Sequence, residues 1–175
     1  MTAAITLRAI PRSRVVEDVR AILAEIVDPE IPAISIVDLG IVRDVTIVDR
    51  TLEVEILPTF IGCPALDLIR AAVSQRLEPL CTDPAVGIDQ VRVAISFAEP
   101  WTAARISERG RAALTASGFA PPDAGPRLVQ LGRPAACPYC GSRRTVVENA
   151  FGPTRCRSIN YCTECRQPFE QFKEG

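Results

Sequence analysis

Residues 51–77 read TLEVEILPTFIGCPALDLIRAAVSQRL. Leu52, Val54 and Ile56 alternate with Glu53 and Glu55, the period of a strand with one buried face. Beyond the middle, Leu66, Ile69, Val73 and Leu77 recur at helical spacing. A strand therefore hands over to a helix at Gly62-Cys63-Pro64. Proline suits the first helical position, because the N–H it lacks would find no partner there, and this makes Cys63 the N-cap. A thiol so placed faces free backbone N–H groups and the positive end of the helix dipole, both of which favour thiolate.

Upstream, Val15, Val16, Val19, Ile22, Leu23 and Ile26 form one apolar stripe, which predicts an amphipathic helix from Ser13 onward. It ends at Val27-Asp28-Pro29-Glu30, since the residue before a proline avoids helical dihedrals. The acidic turn itself reads as solvated. Asp38 is the odd member of the greasy segment Ile34 to Gly40, so it either caps a backbone turn or faces a site. Val42 to Val48 and Thr51 to Leu57 flank a short turn at Asp49-Arg50 and form a hairpin. Downstream, Pro79 breaks the helix. Cys81 lies past its negative end, where thiolate is disfavoured, and reads as structural. Val91 to Phe97 alternates as a third strand, and residues 103–117 suggest a weaker helix interrupted by Gly110. Residues 1–12 show no period. The order helix, hairpin, helix, strand, helix predicts an α/β (α+β) domain over residues 1–118, a small mixed sheet with packed helices. Residues 119–134 form a proline-rich linker in which only Leu128 to Leu131 could pair as a strand.

Five of the seven cysteines crowd into the last 39 residues. Cys137-Pro138-Tyr139-Cys140 and Cys162-Thr163-Glu164-Cys165 are CxxC knuckles 21 residues apart, the pattern of a four-cysteine zinc ribbon over residues 135–175. Short strands are expected around Thr145 to Val147, Ser158 to Tyr161 and Pro168 to Phe172. Apolar residues are too few for an independent core, so zinc held by Cys137, Cys140, Cys162 and Cys165 would supply the folding energy. An iron site, or one sharing a fifth ligand, is the alternative. Cys156 exceeds what one tetrahedral ion requires; it either packs or exchanges into the site. Chelation is expected to unfold the tail and leave the first domain intact.

The chain contains no histidine, which excludes a Ser-His-Asp triad, a Cys-His pair and imidazole metal ligands. With a net charge of −1 and no clustered basic stretch, it carries no nucleic-acid footprint. No uncharged apolar run is long enough for a membrane span, and no secretory leader is evident, so a cytoplasmic protein is expected.

With these residues assembled, the chain resembles the MIP18 (DUF59) family, in a branch that carries a C-terminal zinc ribbon. The resemblance rests on Asp28-Pro29-Glu30-Ile31, Val37-Asp38-Leu39-Gly40, residues 58–64, the first knuckle with Gly141, Phe151 to Cys156, and Pro168 to Lys173. It implies a small α/β domain serving iron-sulfur cluster assembly, with Cys63 as the functional thiol and Asp38 and Thr59 lining its pocket. It also implies work beside a multicomponent oxygenase that epoxidises phenylacetyl-CoA in aerobic phenylacetate degradation. On this reading the chain is a non-catalytic accessory factor, and Cys63 is a transient ligand to iron or a cluster. A lone cysteine cannot hold a cluster, so a homodimer or a partner must complete the ligand set, against the opposing charge of Asp67. The alternatives are a structural or regulatory component that docks on the oxygenase through its ribbon, and a thiol enzyme, which would need a base the chain hardly supplies.

Overall fold

Alternation along residues 42–56 produces the expected hairpin. β1 (Val42–Val48) pairs antiparallel with β2 (Thr51–Ile56), and Asp49 takes the left-handed conformation, φ 54°, that closes the turn. The computed structural model describes residues 10–60, 62–122 and 134–173. Most of the proposed linker, with Leu128 to Leu131, and nearly all of the aperiodic N-terminal stretch lie outside them.

α1 (Arg12–Leu23) lays Val15, Val19 and Leu23 against the core. It stops four residues before the expected Val27, because the bonds from Glu25 and Ile26 tighten to the carbonyls of Ile22 and Leu23. α2 (Ala65–Leu77) buries Ile69, Val73 and Leu77 of the stripe read from the sequence, with Ala65 buried in place of Leu66, which is half-buried. A single 3-10 turn at Glu78–Thr82 leads to β3 (Gln90–Ile95), which pairs parallel with β2, so the sheet order is β1-β2-β3.

The expected helix at 103–117 is two pieces, a 3-10 turn at Ala103–Arg105 and α3 (Glu108–Ala116). Ser107 starts the second by accepting the Gly110 N–H at 2.9 Å. Gly110 does not interrupt α3. It lies within it, where a Cβ would meet the Asp38 carbonyl at 2.7 Å, so glycine is there for close packing.

Between α1 and β1 the chain has almost no regular structure, yet Ile26, Ile31, Ile34, Ile36, Leu39 and Ile41 are all buried. Its backbone polar groups are paired locally: Asp28 N–H donates to the Ile34 carbonyl and Ile36 N–H to that of Ile26, both at 2.9 Å.

The ribbon contains β5 (Thr145–Asn149), β6 (Arg157–Cys162) and β7 (Pro168–Phe172), as expected from the sequence, and gains a strand that was not. β4 (Phe119–Ala120), directly after the first domain, pairs parallel with β7 and extends the sheet to β4-β7-β6-β5. The two units therefore share packing. Phe172 meets Trp101 edge-on, with ring centroids 5.7 Å apart, and both Phe172 and Cys156 join the core of the first domain. Trp101 is fixed in turn by its indole N–H, which donates to the Leu39 carbonyl at 3.0 Å. Among the described residues no helix is long and apolar enough to cross a membrane.

Candidate metal centre and thiol cleft

The two knuckles are built alike. Cys137 N–H donates to the Ser142 carbonyl and accepts the Gly141 N–H at its own carbonyl; Cys162 does the same with Gln167 and Arg166. Both closing residues need the left-handed conformation, Gly141 at φ 74° and Arg166 at φ 59°. Thr163, in the second knuckle, reaches across to the Arg144 carbonyl through both its N–H and its hydroxyl.

This framework gathers the four sulfurs within 4.8 Å of one another, with 3.6 Å between Cys137 and Cys165 and between Cys140 and Cys162. Four thiolates around zinc at about 2.3 Å stand roughly 3.8 Å apart, so the tetrad fits the ion. Backbone N–H groups of Cys165 and Glu164 help pull the Cys162 thiol down to about 7. Cys165 is pushed up to about 12 by burial and by the surrounding sulfurs, a conflict that a divalent cation resolves by taking all four as thiolates.

The second site lies where the first domain meets the ribbon. A cleft of about 470 Å³ is lined by Glu30, Phe60, Gly62, Cys63 and Pro64 on one side and by the β5–β6 loop, from Phe151 to Cys156, on the other. Gly62 makes its turn at φ 79°, and Pro64, with helical dihedrals of φ −67° and ψ −22°, takes the N-cap position expected for Cys63, without a side-chain cap; Cys63 stands one residue further out, at the mouth of α2. Its electrostatics do not follow. Burial pushes the Cys63 thiol up, outweighing the Ala65 N–H that pulls it down, and the charges of Glu30, Cys156 and Asp28 reinforce the rise. Asp67 is not the opposing charge, being exposed and paired with Arg70 at 3.1 Å.

Cys156 is 5% exposed. Its sulfur lies 3.0 Å from the Thr154 hydroxyl and 3.7 Å from Oε2 of Glu30. Burial pushes this thiol up as well, with Thr154 opposing and Glu30 adding to the effect.

The Asp28-Pro29-Glu30 turn is only partly solvated, with Pro29 exposed, Glu30 half-buried and the Asp28 side chain buried. Asp28 is 8% exposed and accepts the N–H groups of Glu30 and Ile31, both at 2.9 Å, which aims Glu30 at the cleft. Arg157 holds the turn from the ribbon side by donating to the Glu30 carbonyl. Its guanidinium also pairs with Glu170 at 3.0 Å and lies over the Phe119 ring.

Asp38 and Thr59 are not among the residues lining this cleft. Thr59 sits in the bend after β2. The Asp38 carboxylate is occupied by the hydroxyls of Ser35 and Ser107, at 2.8 and 2.6 Å, and by Arg109 at 2.7 Å. It ties the irregular segment to the start of α3. Arg109 foremost holds its carboxyl below the usual carboxylate range, partly offset by burial. A folded value below the unfolded one contributes stability that is present above the unfolded pKa and lost as pH falls through the folded value. Asp38→Asn should therefore cost about 1–3 kcal/mol at pH 7. It should also flatten the loss of stability below about pH 4, read from urea unfolding at a series of pH values.

Two family models match the chain: an iron-sulfur cluster assembly protein over residues 16–88 and the PaaD zinc beta ribbon domain over residues 121–173. A crystallised domain of unknown function, DUF59, from Bacillus anthracis superposes with a TM-score of 0.51 at 29% identity, covering 59% of this chain and 93% of that one. An Fe-S protein maturation auxiliary factor of Porphyromonas gingivalis is 30% identical over 93 residues, which is 53% of this chain and 83% of that protein. The D component of 1,2-phenylacetyl-CoA epoxidase from Escherichia coli is 34% identical over 158 residues, which is 90% of this chain and 92% of that component. With that similarity running through both units, the chain belongs to the PaaD family of phenylacetyl-CoA epoxidase components, a DUF59 domain joined to a zinc ribbon.

Proposed function

We propose that this chain is an accessory maturation factor of a multicomponent oxygenase acting on phenylacetyl-CoA, and that it assists the loading of iron or an iron-sulfur cluster into an oxygenase or reductase component. The observation that carries this reading is the position of Cys63, at the mouth of α2 in a cleft open enough to admit a metal. A relative matched along 90% of the chain is named for the epoxidase, and one matched along 53% of it is named for Fe-S protein maturation, which supports the same role. The chain has no histidine to act as a base beside the thiol, so ligation suits Cys63 better than catalysis. Asp38 serves the site indirectly, by fixing the segment that follows Glu30.

The test is to express the oxygenase components with the wild-type chain, without it, and with Cys63→Ala, and to assay iron and acid-labile sulfide in each separated component. One component should lose most of its metal without the chain, and Cys63→Ala should reproduce the loss. Equal metal content in all three preparations overturns the proposal.

A second reading, a docking component without metal transfer, draws on the exposed Val146 and Val147 of β5, at the edge of the ribbon sheet, and on exposed Tyr139 and Phe151. It predicts a stoichiometric complex with the oxygenase that survives Cys63→Ser.

A further inference from the structure

Cys63 is not a lone thiol. Cys156 reaches the same cleft from the β5–β6 loop, and Glu30 lies on the wall between the two units. We infer that Cys63, Cys156 and the Glu30 carboxylate form a second metal site, distinct from the ribbon tetrad, that captures one Fe(II) ion with two thiolates and one carboxylate and leaves a coordination position open. The identity of the ion rests on the maturation role proposed above; the pairing of Cys156 with Glu30 rests on their measured separation, and the inclusion of Cys63 on its place in the same cleft.

Three observations support it. First, in tetrahedral coordination with metal–sulfur and metal–oxygen bonds of about 2.3 and 2.1 Å, a sulfur and an oxygen ligand stand roughly 3.6 Å apart. Cys156 and Glu30 are already 3.7 Å apart. Second, both are held from behind: Asp28 caps the Glu30 turn, Arg157 holds the Glu30 carbonyl, and Lys173 N–H donates to the Cys156 carbonyl at 2.7 Å. Third, the ribbon tetrad is complete without Cys156, whose sulfur instead contacts Thr154 and Glu30.

The third ligand has still to close in. Among the described residues only the tetrad has three or more ligand atoms within 4.8 Å of one another, so capture requires the Cys63 side chain to swing toward the Cys156–Glu30 pair. Each cysteine releases its proton to solvent as it binds, and no electron is transferred. A mixed thiolate and carboxylate set suits a borderline ion, and the open position is where a receiving protein could add a ligand. The second ligand that a lone cysteine would have to borrow from a homodimer or a partner is thus supplied within the chain.

The test uses the full chain with zinc already in the ribbon and Co(II) as the spectroscopic stand-in for Fe(II). Wild type should take up one further equivalent, with thiolate-to-cobalt charge-transfer absorption and two sulfurs in the cobalt X-ray absorption spectrum, while zinc content stays unchanged. Cys63→Ser and Cys156→Ser should each roughly halve the charge-transfer intensity and weaken binding at least tenfold. Glu30→Gln should keep both sulfurs and weaken binding. One sulfur or none in the wild-type spectrum overturns the site whether or not the variants fold, and four sulfurs with loss of zinc would mean exchange into the tetrad, which overturns it too. Unchanged cobalt binding by Cys156→Ser removes Cys156 even if Cys63→Ala abolishes loading of the oxygenase. Intact two-sulfur binding with no effect of Cys63→Ala on the oxygenase leaves the site standing and removes the maturation role.

Discussion

Removing zinc from the ribbon should lower the melting temperature of the whole protein and not only unfold residues 135–175. The sequence alone suggests separable units, with the metal supplying about 10–16 kcal/mol to the tail. The structure joins them: β4 and β7 are one sheet, Phe172 packs against Trp101, and Cys156 sits in the first domain's core. Once the ribbon unfolds, the Trp101 face loses its cover, a loss comparable to truncating a buried phenylalanine, about 3 kcal/mol or more. For a first domain of this size that corresponds to a fall of roughly 10 °C or more. Tryptophan fluorescence during chelator titration reports it directly, because Trp101 is the only tryptophan. A tail that unfolds while fluorescence and first-domain melting stay fixed would show that the shared packing contributes little.

Gly40→Ala should be the most damaging single methyl in the first domain. Gly40 adopts φ 73°, and an added Cβ would lie 2.3 Å from the Arg105 carbonyl oxygen, a backbone atom with no rotamer to escape by. Arg105 also donates to the Gly40 carbonyl at 2.9 Å, so the two segments cannot part without losing that bond. The expected cost is about 4 kcal/mol or more, enough to lower the yield of folded protein sharply. Gly62→Ala provides the contrast. Its φ is 79°, but nothing lies within 4 Å of the added Cβ, so only the left-handed strain of about 1–2 kcal/mol applies. That variant should fold, and denaturant midpoints of the pair should differ by at least twofold in their displacement from wild type.

Much of the fold could be read from local periodicity, because each core-facing set is set by its own element. Leu52, Val54 and Ile56, and Ile69, Val73 and Leu77, are buried where their spacing puts them. The knuckles were equally legible, since CxxC encodes its geometry within a few residues. What could not be read is where distant segments meet. Glu30 and Cys156 are 126 residues apart, and no pattern in either neighbourhood names the other. Asp38 drew notice as a carboxylate among apolar residues, but its partners at Ser107 and Arg109 come from another element. The expected ease of ionising Cys63 reversed for a related reason: the α2 dipole is local information, whereas burial under the ribbon and the charge of Glu30 are not. Gly110 invited a break in the helix because a missing side chain looks the same in a sequence whether it loosens the chain or admits a neighbour.

The edge-on contact between Trp101 and Phe172 also sets a clock. During synthesis the first domain's chain emerges well before residue 172, and the face of Trp101 stays uncovered until β7 arrives and the knuckles have found their ion. With zinc as the ion, its supply would govern when the Cys63 cleft acquires its second wall, and a nascent chain starved of zinc would present an apolar surface to chaperones and proteases in place of a finished binding site.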